Sequence, residues 1–209
     1  MILIGQYDSP FVRRVALALY LYDLRFEHRP WSTFGDAEKI AAYNPLRRVP
    51  TLVTDDGEVV IESGAILDYL DQFVEPERAL VPRSGLMRRR HLRISALACG
   101  LGDKAVSLLY ERVLRREPLA LWVARCEQQI TDVLQLLENE RGDIASRYWF
   151  GERIAHADIA VACVLRFTRE AHPHLFSSER YPALAAQSAY CEALTAFKEI
   201  VQPLAPPSG

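Results

Sequence analysis

Residues 49–63 read VPTLVTDDGEVVIES and hold, within one short stretch, the signals for two strands, a turn and a helix start. Val49 to Thr54 and Glu58 to Ile61 are runs rich in β-branched residues, which suit a pleated, half-buried surface. Between them stands Asp55-Asp56-Gly57, and Asp-Gly flanked by such runs marks a β-hairpin. Ser63 is the expected N-cap of a following helix, whose apolar residues Ile66, Leu67, Leu70 and Phe73 recur at helical spacing. A hairpin that feeds a helix is therefore expected here.

Working toward the N-terminus, Ile2 to Ile4 reads as a short strand broken by Asp8-Ser9-Pro10. Phe11 to Tyr22 carries Phe11, Val15, Ala18, Leu19 and Tyr22 at helical spacing, with Pro10 allowed in the first turn. Arg25 to Trp31 is the second expected strand, and Asp36 to Tyr43 a short helix ended by Asn44-Pro45. The order β-α-β-α-β-β-α is the thioredoxin-like order.

Toward the C-terminus, Pro76 to Gly85 (PERALVPRSG) breaks the pattern, and no convincing strand follows it. Leu86 to about Arg115 and Leu119 to about Glu140 are long amphipathic stretches, fit to be neighbouring antiparallel helices. Another helical run spans about His156 to Glu170, and Ala183 to Ile200 supplies one or two more. The tail PLAPPSG is too rich in Pro and Gly to pack as a helix. The expected fold is an α/β N-terminal thioredoxin-like domain over residues 1–78, a linker at 79–85, and an all-α domain over 86–209.

Composition excludes several functions. Of 209 residues half are hydrophobic and a quarter charged, and a net charge of −2 supplies no field to hold nucleic acid or an anionic membrane. No stretch approaches the ~18 to 20 apolar residues of a membrane span. The opening MILIGQYDSPF has no basic leader or cleavage site, so a cytoplasmic location is expected. Cys99, Cys126, Cys163 and Cys191 lie far apart, without C-x-x-C or metal-ligand spacing, and read as buried thiols. His172 and His174 lack a third ligand, so no metal is expected. Met87-Arg88-Arg89-Arg90-His91 reads as a solvated or interface face, and Trp122 and Trp149 as packing residues.

Three clusters carry chemistry. Ser9 stands at the start of a helix, where unpaired N–H groups stabilise an anion such as a thiolate. Read alone it is either that or a plain helix cap, and capping is the commoner role. Val49-Pro50 enters a strand; a cis bond there would turn the Val49 N–H and C=O outward to pair with an extended peptide, and an ordinary trans proline is the commoner reading. Glu62-Ser63 offers an acceptor for an ammonium group beside a hydroxyl and N–H for a carboxylate, or simply a cap with a solvated neighbour. All three fall at one end of the sheet if the topology is right.

As an ordered set these segments resemble the glutathione S-transferase superfamily over the whole chain. SPFVRRVALAL resembles the opening of its serine-type, bacterial members, NPLRRVPTLV the strand that begins with a cis-proline, and IESGAILDYL the motif that grips the γ-glutamyl end. The resemblance implies that Ser9 donates its hydroxyl to the glutathione sulfur, that Val49 pairs through its backbone with the cysteinyl part and that Pro50 is cis. It further implies that Glu62 and Ser63 hold the γ-glutamyl amino and carboxylate groups, and that Arg48, or its neighbour Arg47, meets the glycyl carboxylate. Glutathione would be a co-substrate, the partner a small electrophile, and the assembly a homodimer active in detoxification. Peroxide reduction, dehalogenation, isomerisation and non-catalytic ligand binding or protein interaction are the alternatives. Val12 stands where a second redox cysteine would sit, against dithiol chemistry. Tyr7, a tempting thiol partner, is read as the end of the first strand.

The second-substrate wall is expected near residues 95–115, with Leu101, Ala105, Leu108 and Tyr110 as candidates that periodicity does not separate from core. Ile154-Ala155-His156-Ala157-Asp158-Ile159 resembles a family helix-start motif in which the cap position, here Ala155, is normally Ser or Thr. Asp158 is read as structural, closing the turn through its carboxylate.

Overall fold

The computed structural model describes residues 1–207. Four short strands, β1 (Ile2–Ile4), β2 (Glu27–Arg29), β3 (Thr51–Val53) and β4 (Val59–Ile61), form one sheet in the order β2-β1-β3-β4. β1 and β2 run parallel, as a helix-linked pair must, and β3 is antiparallel to both β1 and β4. The crossover helix is α1 (Pro10–Leu21); α2 (Ala37–Ala41) leads into β3, and α3 (Ser63–Leu70) follows the hairpin. Element order agrees with the sequence reading, while the strands are shorter: Arg25, Phe26, Pro30 and Trp31 fall outside β2.

Two local expectations are corrected. Ser63 does not cap α3; it is the first helical residue, and Glu62 occupies the cap position without a side-chain cap bond. Tyr7 does not end β1, which stops at Ile4; it stacks on His28 with ring centroids 3.9 Å apart.

Five helices make the second layer: α4 (Gly85–Leu114), α5 (Ala120–Gly142), α6 (His156–Ala171), α7 (Pro182–Glu192) and α8 (Thr195–Glu199). Among the described residues none is long and apolar enough to cross a membrane. α6 is the central helix, apolar on nearly all sides, and it is shared: Ile159, Ala162 and Cys163 face the sheet core, while Ala160, Val161 and Val164 face α4 and α5. Its N-terminus is organised by Asp158, whose two carboxylate oxygens accept from the N–H groups of Trp149 and Ala155, both at 2.9 Å. Ala155 has no acceptor, so half of the reciprocal cap is absent. Asp158 is fully buried in this role, with burial pushing its carboxyl up to about 6.

His91 is not part of a solvated face. It is buried on α4 and stacks on Phe150, ring centroids 3.9 Å apart, and burial lowers its imidazole to about 4. The folded protein therefore holds His91 neutral through a range where the unfolded chain, titrating near ~6.5, binds a proton. Stability contributed by the neutral ring is present above pH 6.5 and is lost as pH falls from there toward 4. Each pH unit in that window costs about 1.4 kcal/mol for this group. Urea unfolding should show wild type losing about 2 kcal/mol more than His91→Phe between pH 6.5 and 5. Equal acid losses in the two proteins would remove His91 from the account.

Candidate active site

The site is built at the end of the sheet where β1 gives way to α1 and a loop enters β3. Gly5 makes the convergence possible: its φ is +129°, and a Cβ there would stand 2.5 Å from Val12 and 2.8 Å from Val49. Asn44, buried at 1 % exposure, ties the loop down from inside. Its amide nitrogen donates to the Arg48 carbonyl at 3.0 Å and to Thr51 Oγ1 at 3.1 Å, while its oxygen accepts from the Leu46 N–H at 3.0 Å. The sequence reading took Asn44 only as a helix stop; its anchoring role depends on contacts two to seven residues away.

That loop carries the Val49-Pro50 bond, which is cis. Among the described residues the Val49 N–H and C=O form no hydrogen bond, although Thr51 onward is fully paired in the sheet. An unpaired donor and acceptor on an extended segment form a template for another extended chain.

Ser9 is the N-cap of α1. Its Oγ accepts from the Val12 N–H at 3.4 Å, a long bond, and its own proton is committed to no described residue. The capping role and the availability of the hydroxyl thus coexist. Glu62 sits at φ +68° and ψ 125°, a region that a residue bearing a Cβ rarely adopts and that costs on the order of 1–3 kcal/mol. The turn leaves the buried Ser63 facing the cavity at the start of α3, with Glu62 half exposed at its rim.

Two clefts, each of about 280 Å³, meet over these residues. One runs from Val49 and Pro50 to Glu62, Ser63 and Gly64, against Cys99 and Ser95 of α4. The other opens over Ser9 between the sheet layer and the helical layer. Phe11, Arg48, Val49 and Asp103 line both, so the groove is continuous. All six residues singled out in the sequence, Ser9, Arg48, Val49, Pro50, Glu62 and Ser63, lie along it. Arg48 approaches Glu62 at 3.4 Å and Asp103 at 4.0 Å, while Arg47 pairs with Glu38. Burial raises the Asp103 carboxyl, an effect opposed by Arg48 and reinforced by Glu62.

The wall of the Ser9 cleft corrects the sequence reading. Leu101, Ala105 and Leu108 are buried inside the helical layer, and only Tyr110 of the four candidates lines the cleft. Val106 and Leu109 take the places of the others, with Phe167 from α6. Phe34 meets Tyr110 edge to face across the opening, centroids 5.2 Å apart.

Residues 201–207 form neither helix nor strand, and Gln202 Oε1 accepts from the Tyr7 N–H at 3.2 Å while the Ala205 N–H donates to Asp8 at 3.1 Å. Leu204, Ala205 and Pro207 thereby complete the cleft beside Ser9. Tyr7 itself does not line either cleft, and burial pushes its hydroxyl up to about 12. Cys99 departs from the buried-thiol expectation, lining the first cleft in contact with Arg14, whereas Cys126, Cys163 and Cys191 are buried.

Known proteins share this fold. The family model for the glutathione S-transferase N-terminal domain matches residues 3–78, and the model for the C-terminal domain matches 120–186. The GST-like protein YibF of Escherichia coli is 31% identical over 188 residues, covering 84% of this chain and 90% of that protein. The maleylacetoacetate isomerase of Pseudomonas aeruginosa is 28% identical over 185 residues, covering 84% and 80%. A glutathione S-transferase from Methylobacterium radiotolerans, solved with glutathione sulfonate, superposes with a TM-score of 0.91 at 28% identity, covering 100% of this chain and 97% of its own. Another from Methylobacillus flagellatus, solved with glutathione, gives 0.87 at 26% identity over 95% and 98%. With both halves of the fold matched in order, the chain belongs to the glutathione S-transferase family.

Proposed function

We propose that the continuous groove binds glutathione with its thiol at Ser9 and activates it for attack on a small electrophile. The observation that carries this reading is the unpaired Val49 backbone, which lines both the cleft that holds Ser9 and the cleft that holds the Glu62-Ser63 turn. A tripeptide laid along it pairs its cysteinyl part with Val49, meets Ser63 with its γ-glutamyl carboxylate and Glu62 with its amino group, and brings its sulfur to Ser9. Arg48, half exposed and held only by long ion pairs, is free to turn to the glycyl carboxylate; Arg47 is engaged by Glu38. Residues 1–78 act as the glutathione-binding domain, 79–85 as the linker, and 86–209 as the helical domain that contributes to the second-substrate pocket.

The chemistry asks little of the protein. A free thiol titrates near ~8.5, and lowering that by ~2 units takes ~2.7 kcal/mol. A hydrogen bond to the charged sulfur at ~1.5 to 3 kcal/mol and the α1 N-terminus at ~0.3 to 1 kcal/mol suffice together. The thiolate then forms a C–S bond to a substrate held by Phe11, Val106, Leu109 and Phe167, and the displaced group leaves with the electron pair. We further propose that the chain assembles as a homodimer, measurable by sedimentation. Four unpaired cysteines support work in the reducing cytoplasm, in line with a detoxifying role.

Glutathione titrated into the wild type, followed by ultraviolet difference absorbance, tests the reading. A bound thiolate signal at neutral pH is expected. Binding without that signal makes the chain a carrier, and no binding overturns the assignment.

A further inference from the structure

Arg13 and Arg14 are neighbours on α1, and both are buried, at 2 % and 5 % exposure. Arg13 is matched by a carboxylate: its guanidinium meets Glu192 with both Nη atoms. Arg14 is not. Its Nη1 touches Cys99 Sγ, a weak acceptor, and its Nε is buried with no partner among the described residues. A guanidinium does not shed its proton, and an unpaired buried charge is costly, so the folded protein keeps a cation there at a disadvantage.

The surroundings of that cation suggest what offsets it. Arg14 lines the same cleft as Ser63 and Gly64, where α3 begins. The first N–H groups of a helix have no intrahelical acceptor, and the buried Ser63 hydroxyl is bonded to nothing described. One full positive charge and a set of free donors therefore face a single small space, with Glu62 at its rim.

Resting on the glutathione reading above, we propose that Arg14 is the counter-ion of the γ-glutamyl carboxylate, gripping it from α1 while the start of α3 holds it from the opposite side. Cys99 occupies the guanidinium in the unliganded protein and gives way to the stronger, charged acceptor. Arg14 on this account sets which peptides enter, demanding a carboxylate at that end.

The test compares glutathione with γ-aminobutyryl-cysteinylglycine, the same peptide without that carboxylate, by calorimetry on wild type and Arg14→Met. Wild type should prefer glutathione about thirtyfold or more, as loss of one partner from a buried charge pair requires. Arg14→Met should reduce the preference to a few fold at most, with the affinity for the shortened peptide unchanged. Its unliganded melting temperature should hold or rise, because an apolar side chain of similar volume replaces an unpaired buried charge. An undiminished preference in Arg14→Met, a wild type that does not discriminate, or a lower unliganded melting temperature would each overturn the proposal, the last by making Arg14 a structural residue. Wild type that binds neither peptide removes the glutathione reading itself, and the proposal with it.

Discussion

Ser9→Ala is expected to lower kcat/KM for conjugation of glutathione at pH 6.5 by about ten- to a hundredfold, the value of one hydrogen bond to a charged group at ~1.5 to 3 kcal/mol. The loss follows from the proposed role, because the Ser9 hydroxyl can act in two directions. Its oxygen accepts from the Val12 N–H at 3.4 Å, and its proton is free to meet a sulfur lying over the α1 N-terminus. Alanine removes the donor to the thiolate while leaving the helix dipole in place. The bound thiol should then titrate about one to two units higher, and the deficit should shrink as pH rises above that value. Helix capping alone accounts for no such pattern: loss of a cap costs about 1 kcal/mol of stability and leaves the pH profile where it was. Rate profiles for both proteins from pH 6 to 9 separate the two, and a parallel pair of profiles would rule out the catalytic role. Affinity for glutathione itself should change little, since Val49, Glu62 and Ser63 are untouched.

Arg13→Ala should be the most destabilising single change on α1, at about 3 kcal/mol or more. The guanidinium is held on every side: Nη1 and Nη2 reach the Glu192 carboxylate at 2.6 and 2.8 Å, Nε donates to the Ile200 carbonyl at 2.8 Å, and Nη2 also donates to the Phe197 carbonyl at 3.0 Å. It lies 5.2 Å from the centre of the Phe197 ring as well. One side chain thus fastens α1 to α7 and α8. Truncation strands two buried carbonyls and a carboxylate, each carrying a desolvation penalty. Glu192 is 26 % exposed and keeps Arg166 at 3.7 Å, which places the cost toward the lower end of the range for a broken buried pair. For a chain of this size the melting temperature should fall by roughly 6 to 12 °C. Because Val201 and Gln202 follow directly on Ile200, the tail that completes the Ser9 cleft should loosen too. Urea unfolding measures the first effect; a loss under about 1 kcal/mol would mean the fork contributes little.

The contrast between the two arginines bears on how far local sequence reaches. The sequence reading assigns Arg13 and Arg14 no role, since nothing near them in SPFVRRVALAL announces burial. Arg13 is buried because α8 and its C-cap Ile200, almost two hundred residues later, bring carbonyls against it, and Arg14 because α4 packs Cys99 on it. Tyr110 and Leu108 illustrate the same limit. Both lie on one amphipathic helix, yet one faces the cleft and the other the helical core, a choice made by where α6 packs. The tail, read from composition only as non-helical, supplies Leu204, Ala205 and Pro207 to the cleft wall, held by two hydrogen bonds to Tyr7 and Asp8.

What the chain specifies locally is the order of elements, the hairpin at Asp55-Asp56-Gly57, the cap at Ser9 and the presence of the Val49-Pro50 and Glu62-Ser63 turns. Each depends on propensity, turn chemistry or periodicity within a few residues, so each is legible without the fold. What only the tertiary structure decides is which of those turns converge, which polar groups are left without a partner and which side chains are sealed from water. Those depend on contacts between residues far apart in the chain, where the cost of burying a charge or an N–H is set by whatever distant segment arrives to meet it.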